Sequence, residues 1–253
     1  MRLRRITEHV KAQNWTAVWL DLIIVVVGVF IGIQVANWND ARTDRVQENL
    51  LLKLLRDDIK QDIIDLKGAQ ALFTDVHDYG RIANTSLTQK LPCVEDCWPQ
   101  LVAFFHASQW NDIRVNKATF EEINRNGFLN FASFKNKLIS YYSLVHQISS
   151  VLAEKPQYRK LVRSIIPGTV QEYLWNECFQ ARSTTQYLSD GCPAPVNVAE
   201  TRRIVESLRA NNNIRTSLNF WMSTISLVEA TLPESIVEAK SVLVSIDDDL
   251  ERW

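Results

Sequence analysis

The chain is short of the residues that punctuate sheets and of the patterns that carry reaction chemistry. Only five of its seven glycines lie outside an apolar run near the start, which disfavours a turn-rich all-β fold. There is no Gly-rich phosphate loop, no nucleophile elbow and no paired-histidine metal motif, so no catalytic residue, cofactor or metal ion is called for. His77, His106 and His146 are isolated from one another. Each reads as an ordinary bundle histidine, because a catalytic one needs a positioned partner. No internal repeat or low-complexity tract interrupts the 253 residues, and a formal net charge of -1 excludes a nucleic-acid binder by composition.

What the chain does have is one long apolar run. From Leu22 to Trp38 the strongly polar side chains are Gln34 and Asn37, and extension back to Thr16 adds Asp21. A helix of about 20 residues rises roughly 30 Å, the thickness of a bilayer's hydrocarbon core. A removable signal has an apolar region of about 7 to 15 residues and a small-x-small cleavage site. Gln34 stands at position -3 from Ala36, a poor match, so the run reads as an uncleaved anchor. Trp15 and Trp19 before it and Trp38 after it suit the two interfaces, and Asp21 marks the inner edge.

Arg2, Arg4, Arg5 and Lys11 precede the run, whereas Arg42 and Arg45 beyond it are offset by Asp40 and Asp44. Lysine and arginine bias sets orientation, which places the N-terminus in the cytoplasm. The expected organisation is a basic cytoplasmic tail over 1–15, a transmembrane anchor over 16–38 and a periplasmic α-helical domain over 39–253. Leu3, Ile6 and Val10 recur at helical spacing, so the tail is either a surface-lying helix or a disordered arm.

All four cysteines, Cys93, Cys97, Cys178 and Cys192, fall in the segment expected outside the cytoplasm, where disulfides persist. Four cysteines permit three pairings. Pro92 and Pro99 bracket the first two, and the other two flank a turn-rich stretch, which favours Cys93 with Cys97 and Cys178 with Cys192. The rival is a zinc site with His106 as a further ligand, but the paired close spacing of structural zinc sites is missing.

Beyond the anchor, apolar residues recur at three- and four-residue steps. The first set is Leu52, Leu55, Ile59, Ile63, Leu66, Phe73 and Val76; the second is Phe134, Leu138, Tyr141, Val145, Ile148 and Leu152. The third is Ile214, Leu218, Trp221, Ile225, Val228 and Leu232. Pro233 suits the first turn of a fourth helix carrying Ile236, Ala239, Leu243, Ile246 and Leu250. Such stripes must be buried against one another, so the expected fold is all-α: a transmembrane helix followed by an antiparallel helical bundle with disulfide-held loops. The segment "QEYLWNECFQ" reads as a further short helix. Glu121, Glu122 and Arg125 read as helix-surface charges rather than a carboxylate site, with Gly127 as the stop after that helix.

"DLIIVVVGVFIGIQVANWND", ending in Gln-Val-x-Asn-Trp-Asn-Asp, and "ATFEEINRNGFLNFASFKNKLISYYSLV", with Thr119, Phe120, Glu121, Glu122 and Gly127 before Tyr141 and Tyr142, carry a resemblance. Together they resemble a domain-of-unknown-function family of uncharacterised bacterial single-pass membrane proteins. The resemblance covers about a fifth of the chain. It implies a bacterial inner-membrane anchor and a periplasmic helical domain, and transfers no catalytic residue.

Two functions follow as expectations. The first is an interaction or scaffold module that meets the lipid bilayer and an unidentified protein or envelope partner. The alternative is a ligand-sensing module, since a bundle on one anchor can pass a small helix shift across a bilayer. A cytoplasmic segment of about 20 residues is a short output for a sensor acting without a membrane partner. An enzyme ranks third for want of a motif. Gly28 and Gly32, four residues apart, share a helix face where a second span could pack, so a homodimer is open; against it, glycine is common in transmembrane helices.

Overall fold

The computed structural model describes residues 15–89, 96–128, 133–182, 185–189 and 191–251. The chain divides into two compact units, Met1–Leu51 and Leu52–Trp253. Among the described residues there are eight helices and one two-stranded hairpin.

The first helix, α1, runs from Trp15 to Gln89 without a proline. In the first unit every side chain from residue 19 to residue 47 is exposed, Val26 at 58% and Phe30 at 61% among them. This is the one helix among the described residues that is long and apolar enough to cross a membrane. Valine and isoleucine restrict side-chain rotamers in a helix, yet in hydrocarbon a helix satisfies every backbone hydrogen bond internally.

In the second unit the composition of α1 changes to a stripe. Leu52, Leu55, Ile59, Ile63, Leu66, Phe73 and Val76 are all buried, whereas Lys53, Asp57, Lys60 and Gln61 face out. The other elements are α2 (Trp98–Ala107), α3 (Ala118–Arg125), α4 (Lys135–Val151), α5 (Gln157–Ile165), α6 (Gly168–Glu177), α7 (Val198–Ala210) and α8 (Asn212–Glu251). Between α6 and α7, β1 (Phe179–Arg182) pairs antiparallel with β2 (Thr185–Leu188), Phe179 opposite Leu188.

The predicted stripes of α4 and of the first half of α8 are buried at every named position. Lys137 Nζ donates to Ser245 Oγ at 2.9 Å, while Ile148 and Val151 of α4 and Val228 and Thr231 of α8 line one small crevice. Along α1, Arg56 lies 3.8 Å from Asp247 and His77 Nδ1 lies 2.7 Å from Glu229. Arg209 on α7 reaches α1 and α2 together, donating to Ser86 Oγ and to Gln100 Oε1.

Helix α2 is the centre of this unit. Trp98, Leu101, Val102, Ala103, Phe104, Phe105, His106 and Ala107 are all buried. A buried helix end needs partners for its last carbonyls. Tyr158 Oη donates to Phe104 O, Ser108 Oγ to Phe105 O, Gln109 N–H to His106 O and Trp221 Nε1 to Ala107 O.

Proline 233 does not start a helix. It lies inside α8, and the apolar stripe keeps its phase across it through Val228, Leu232, Ile236 and Ala239. An interior proline costs about 3 kcal/mol or more through a lost hydrogen bond and a clash. Burying several large side chains on one continuous face, at about 1.5 to 3 kcal/mol each, outweighs it. The predicted stop at Gly127 is a residue with φ of 77°, in the left-handed region that glycine adopts without strain.

Candidate functional site

The second unit has one buried carboxylate on its first helix. Asp62 occupies the apolar face of α1 and is 2% exposed. Its two oxygens are held from outside α1: the Asn116 N–H donates to Oδ1 at 3.1 Å and the Tyr141 hydroxyl to Oδ2 at 2.9 Å. Asn116 Nδ2 donates to Asp58 Oδ1, and the Tyr142 hydroxyl donates to Asn116 O. Phe120 and Tyr141 pack against the Tyr142 ring with centroids 4.7 and 4.9 Å away.

Burial pushes the Asp62 carboxyl up to about 6, against the two hydrogen bonds that favour its ionised form. The Asp58 and Asp65 charges push the same way as burial. Burial together with the Asp62 charge holds both Tyr141 and Tyr142 above the usual phenol range, so the hydroxyls stay protonated and keep donating. The arrangement can take up or release one proton near pH 6.

Next to this network lies a cleft of about 440 Å³. Asp65, Leu66 and Ala69 of α1 form one wall, Trp110 to Arg114 another, and Gln186 of β2 completes it. Trp110 is fixed by its Nε1–H, which donates to Leu152 O, and Lys155 Nζ sits 5.6 Å from its ring centroid. Arg114 Nε donates to Asp112 Oδ2 at 2.9 Å, and Gln61 Nε2 to Asp65 Oδ1 at 2.9 Å. Size and mixed lining suit a small polar molecule.

Cys178 and Cys192 form a disulfide with Cα atoms 5.4 Å apart. The closed loop docks on α2, since Trp98 Nε1 donates to Cys192 O at 2.7 Å and His106 Nε2 lies 3.1 Å from Ser189 O. Cys97 is also disulfide-bonded and precedes α2 directly; Cys93 lies outside the described residues. No group of three metal-ligating side chains is assembled among the described residues. His106 is buried against the Tyr79 and Phe105 rings, and His146 is exposed. Glu121 and Glu122 are exposed on α3. Around Gly28 and Gly32 an added Cβ would meet nothing.

The pattern along α1 held the signal for Asp62. An acid at the three-residue step after Ile59 interrupts the stripe, and Tyr141, one of the predicted core positions, carries a hydroxyl that needs a partner when buried.

A family described as a family of unknown function (DUF6090) matches residues 21–87. That is about a quarter of the chain, and takes in the exposed apolar segment and the stretch of α1 that carries Asp58, Asp62 and Asp65. The similarity accords with a domain-of-unknown-function family and brings no activity with it. No curated protein and no solved structure matches the chain.

Proposed function

We propose that the protein is a single-pass, membrane-anchored interaction module, with its basic N-terminal tail in the cytoplasm and an antiparallel helical bundle in the periplasm of a bacterium. One observation carries the reading: an apolar segment exposed on all sides continues, without a break in the helix, into a segment with an ordinary core stripe. A soluble protein rarely exposes contiguous apolar surface on this scale. The charge asymmetry around the run supports the orientation. The Cys178–Cys192 disulfide supports an oxidising compartment, and the pairing of Cys93 with Cys97 belongs to the same proposal. Along α1 the contacts run in reverse order against α8, Arg56 with Asp247 and then His77 with Glu229, and Lys137 near the start of α4 meets Ser245 near the end of α8, which supports the antiparallel arrangement.

The test is a pair of fusions after Trp253. A reporter active only outside the cytoplasm is expected to work, and one active only inside is expected to be silent. The reverse result removes the orientation and the compartment together. Homodimerisation through Gly28 and Gly32 is tested by replacing both with isoleucine in a membrane two-hybrid assay. Signal equal to the wild type would show that the glycines are incidental.

A second reading, a ligand-sensing module working through a membrane partner, is favoured by one feature. The cleft wall of Asp65, Leu66 and Ala69 belongs to the helix that also carries the apolar segment. A ligand that binds one position of that helix better than another would bias it.

A further inference from the structure

Arg159 and Arg163 stand one turn apart on α5, and both guanidiniums converge on the end of α2. Arg159 Nη1 donates to Ser108 O at 2.8 Å and lies 3.4 Å from Gln109 Oε1. Arg163 Nε donates to Ser108 Oγ at 3.1 Å. Aromatic rings cover the faces of these cations: Arg163 lies 4.3 Å from the Phe105 centroid and 4.7 Å from that of Trp175, and Arg159 lies 5.9 Å from Trp175. Stacking on a ring uses the guanidinium face and leaves its in-plane N–H groups to find acceptors.

Those acceptors are too few, and all of them are uncharged. Among the described residues no carboxylate forms an ion pair with either arginine. Burial, and then the charge of Arg159, pulls the Arg163 guanidinium down to about 9. Arg163 Nη2 and Gln109 Nε2 are buried with no hydrogen-bond partner. The orientation of the Gln109 amide follows from chemistry: Arg159 is donor-only, so the amide must turn Oε1 toward it, and Nε2 is left as a further donor. Gln109 is 1% exposed, so this donor cannot turn to bulk water. Two neighbouring part-buried cations and two buried donor atoms without partners are short of a negative charge and of acceptor lone pairs.

We propose that Arg159, Arg163 and Gln109 form a binding site for a small monovalent anion of chloride size. The ligand is small because Arg163 Nη2 and Gln109 Nε2 are closed off from solvent, and a halide is the common anion of that size. Bound there, the anion ties α5 to the end of α2 and relieves the repulsion along α5.

The test uses the full chain in detergent micelles, with thermal unfolding followed as sodium chloride replaces sodium gluconate at constant ionic strength. The wild type is expected to gain roughly 2–4 °C with a saturating dependence on chloride. Arg163→Met keeps an unbranched stem against Phe105 and Trp175 but lacks the charge, and is expected to lose the dependence. Gln109→Glu has the same shape and supplies a carboxylate in place of the unmatched donor. It is expected to melt higher than the wild type in gluconate and to ignore chloride. Identical wild-type melting in chloride and gluconate would overturn the site. So would a chloride response that survives in Gln109→Glu, and that variant decides the matter even if Arg163→Met fails to fold.

Discussion

Helix α2 and residues 19–38 of α1 are both apolar around most of their circumference, with Gln100 and His106 the exceptions in one and Asp21, Gln34 and Asn37 in the other, and they end in opposite surroundings. Every named side chain of α2 from Leu101 to Ala107 is 1% exposed or less, whereas Leu22 to Val35 show about half of their surface or more. A helix apolar around most of its circumference must be enclosed by something. Ten residues, about 15 Å, can be surrounded by the other helices of a domain of this size. A run of about 20 residues, roughly 30 Å, outlasts them and matches the thickness of a bilayer's hydrocarbon core. Length, rather than composition, separates the two outcomes.

The sharpest way to break that comparison is to remove the same side chain from each. Phe104→Ala empties a site in the middle of the enclosure and is expected to cost about 3 to 5 kcal/mol, read as a lower denaturant midpoint of the purified full chain. Phe30→Ala, at a position 61% exposed, is expected to leave that midpoint unchanged. Equal losses from both would mean that the apolar segment packs on the domain.

A smaller effect comes from the clip that forms part of the α2 enclosure. Replacing Cys178 and Cys192 together by serine frees a loop with a sequence separation of 14. Loop-closure entropy puts the loss at about 3 kcal/mol. The Trp98–Cys192 hydrogen bond is expected to loosen with it, seen as a red shift in tryptophan fluorescence. Unchanged stability would show that the loop is held by packing alone.

The smallest effect concerns the polar group enclosed with the apolar ones. The Asp62 carboxyl is raised from 3.8 to about 6, so between those values the folded protein holds a proton that the unfolded chain has released. Its contribution to stability is therefore greatest below 3.8 and declines as pH rises through about 6. In Asp62→Asn, Oδ1 still accepts from the Asn116 N–H and the amide donates to the Tyr141 oxygen. The variant is expected to gain on the wild type as pH rises across that window and to keep a constant margin above it, measured by urea midpoints. A margin independent of pH would show that Asp62 binds its proton equally in the folded and unfolded chains.

Much of this was legible from spacing. Leu52 through Val76, Phe134 through Leu152 and Ile214 through Leu232 are buried as their three- and four-residue steps require. Helix α2 was not legible, because a run apolar on nearly every side has no phase to read. The continuity of α8 through Pro233 was not legible either, since local propensity says stop and only the continuous buried face says otherwise. Of the candidate site, Tyr141 was readable as a core residue and the acid at Asp62 stood in the α1 stripe, but Asn116 and the cleft wall from Trp110 to Arg114 were not readable. Their meeting depends on a loop between α2 and α3 that carries no period.

The carbonyls at the end of α2 are met by Tyr158 of α5, Trp221 of α8 and the two residues that follow the helix. Two of those donors arrive from sequence distances of 54 and 114 residues. The helix therefore has no finished C-terminus until the last third of the chain has docked. A fragment that stops before α8 exposes Ala107 O inside an apolar cluster, and a domain that releases α5 strands Phe104 O. Amide exchange in α2 should then proceed at the rate of global opening, with α2, α5 and α8 forming one cooperative unit that has no partly open state of its own.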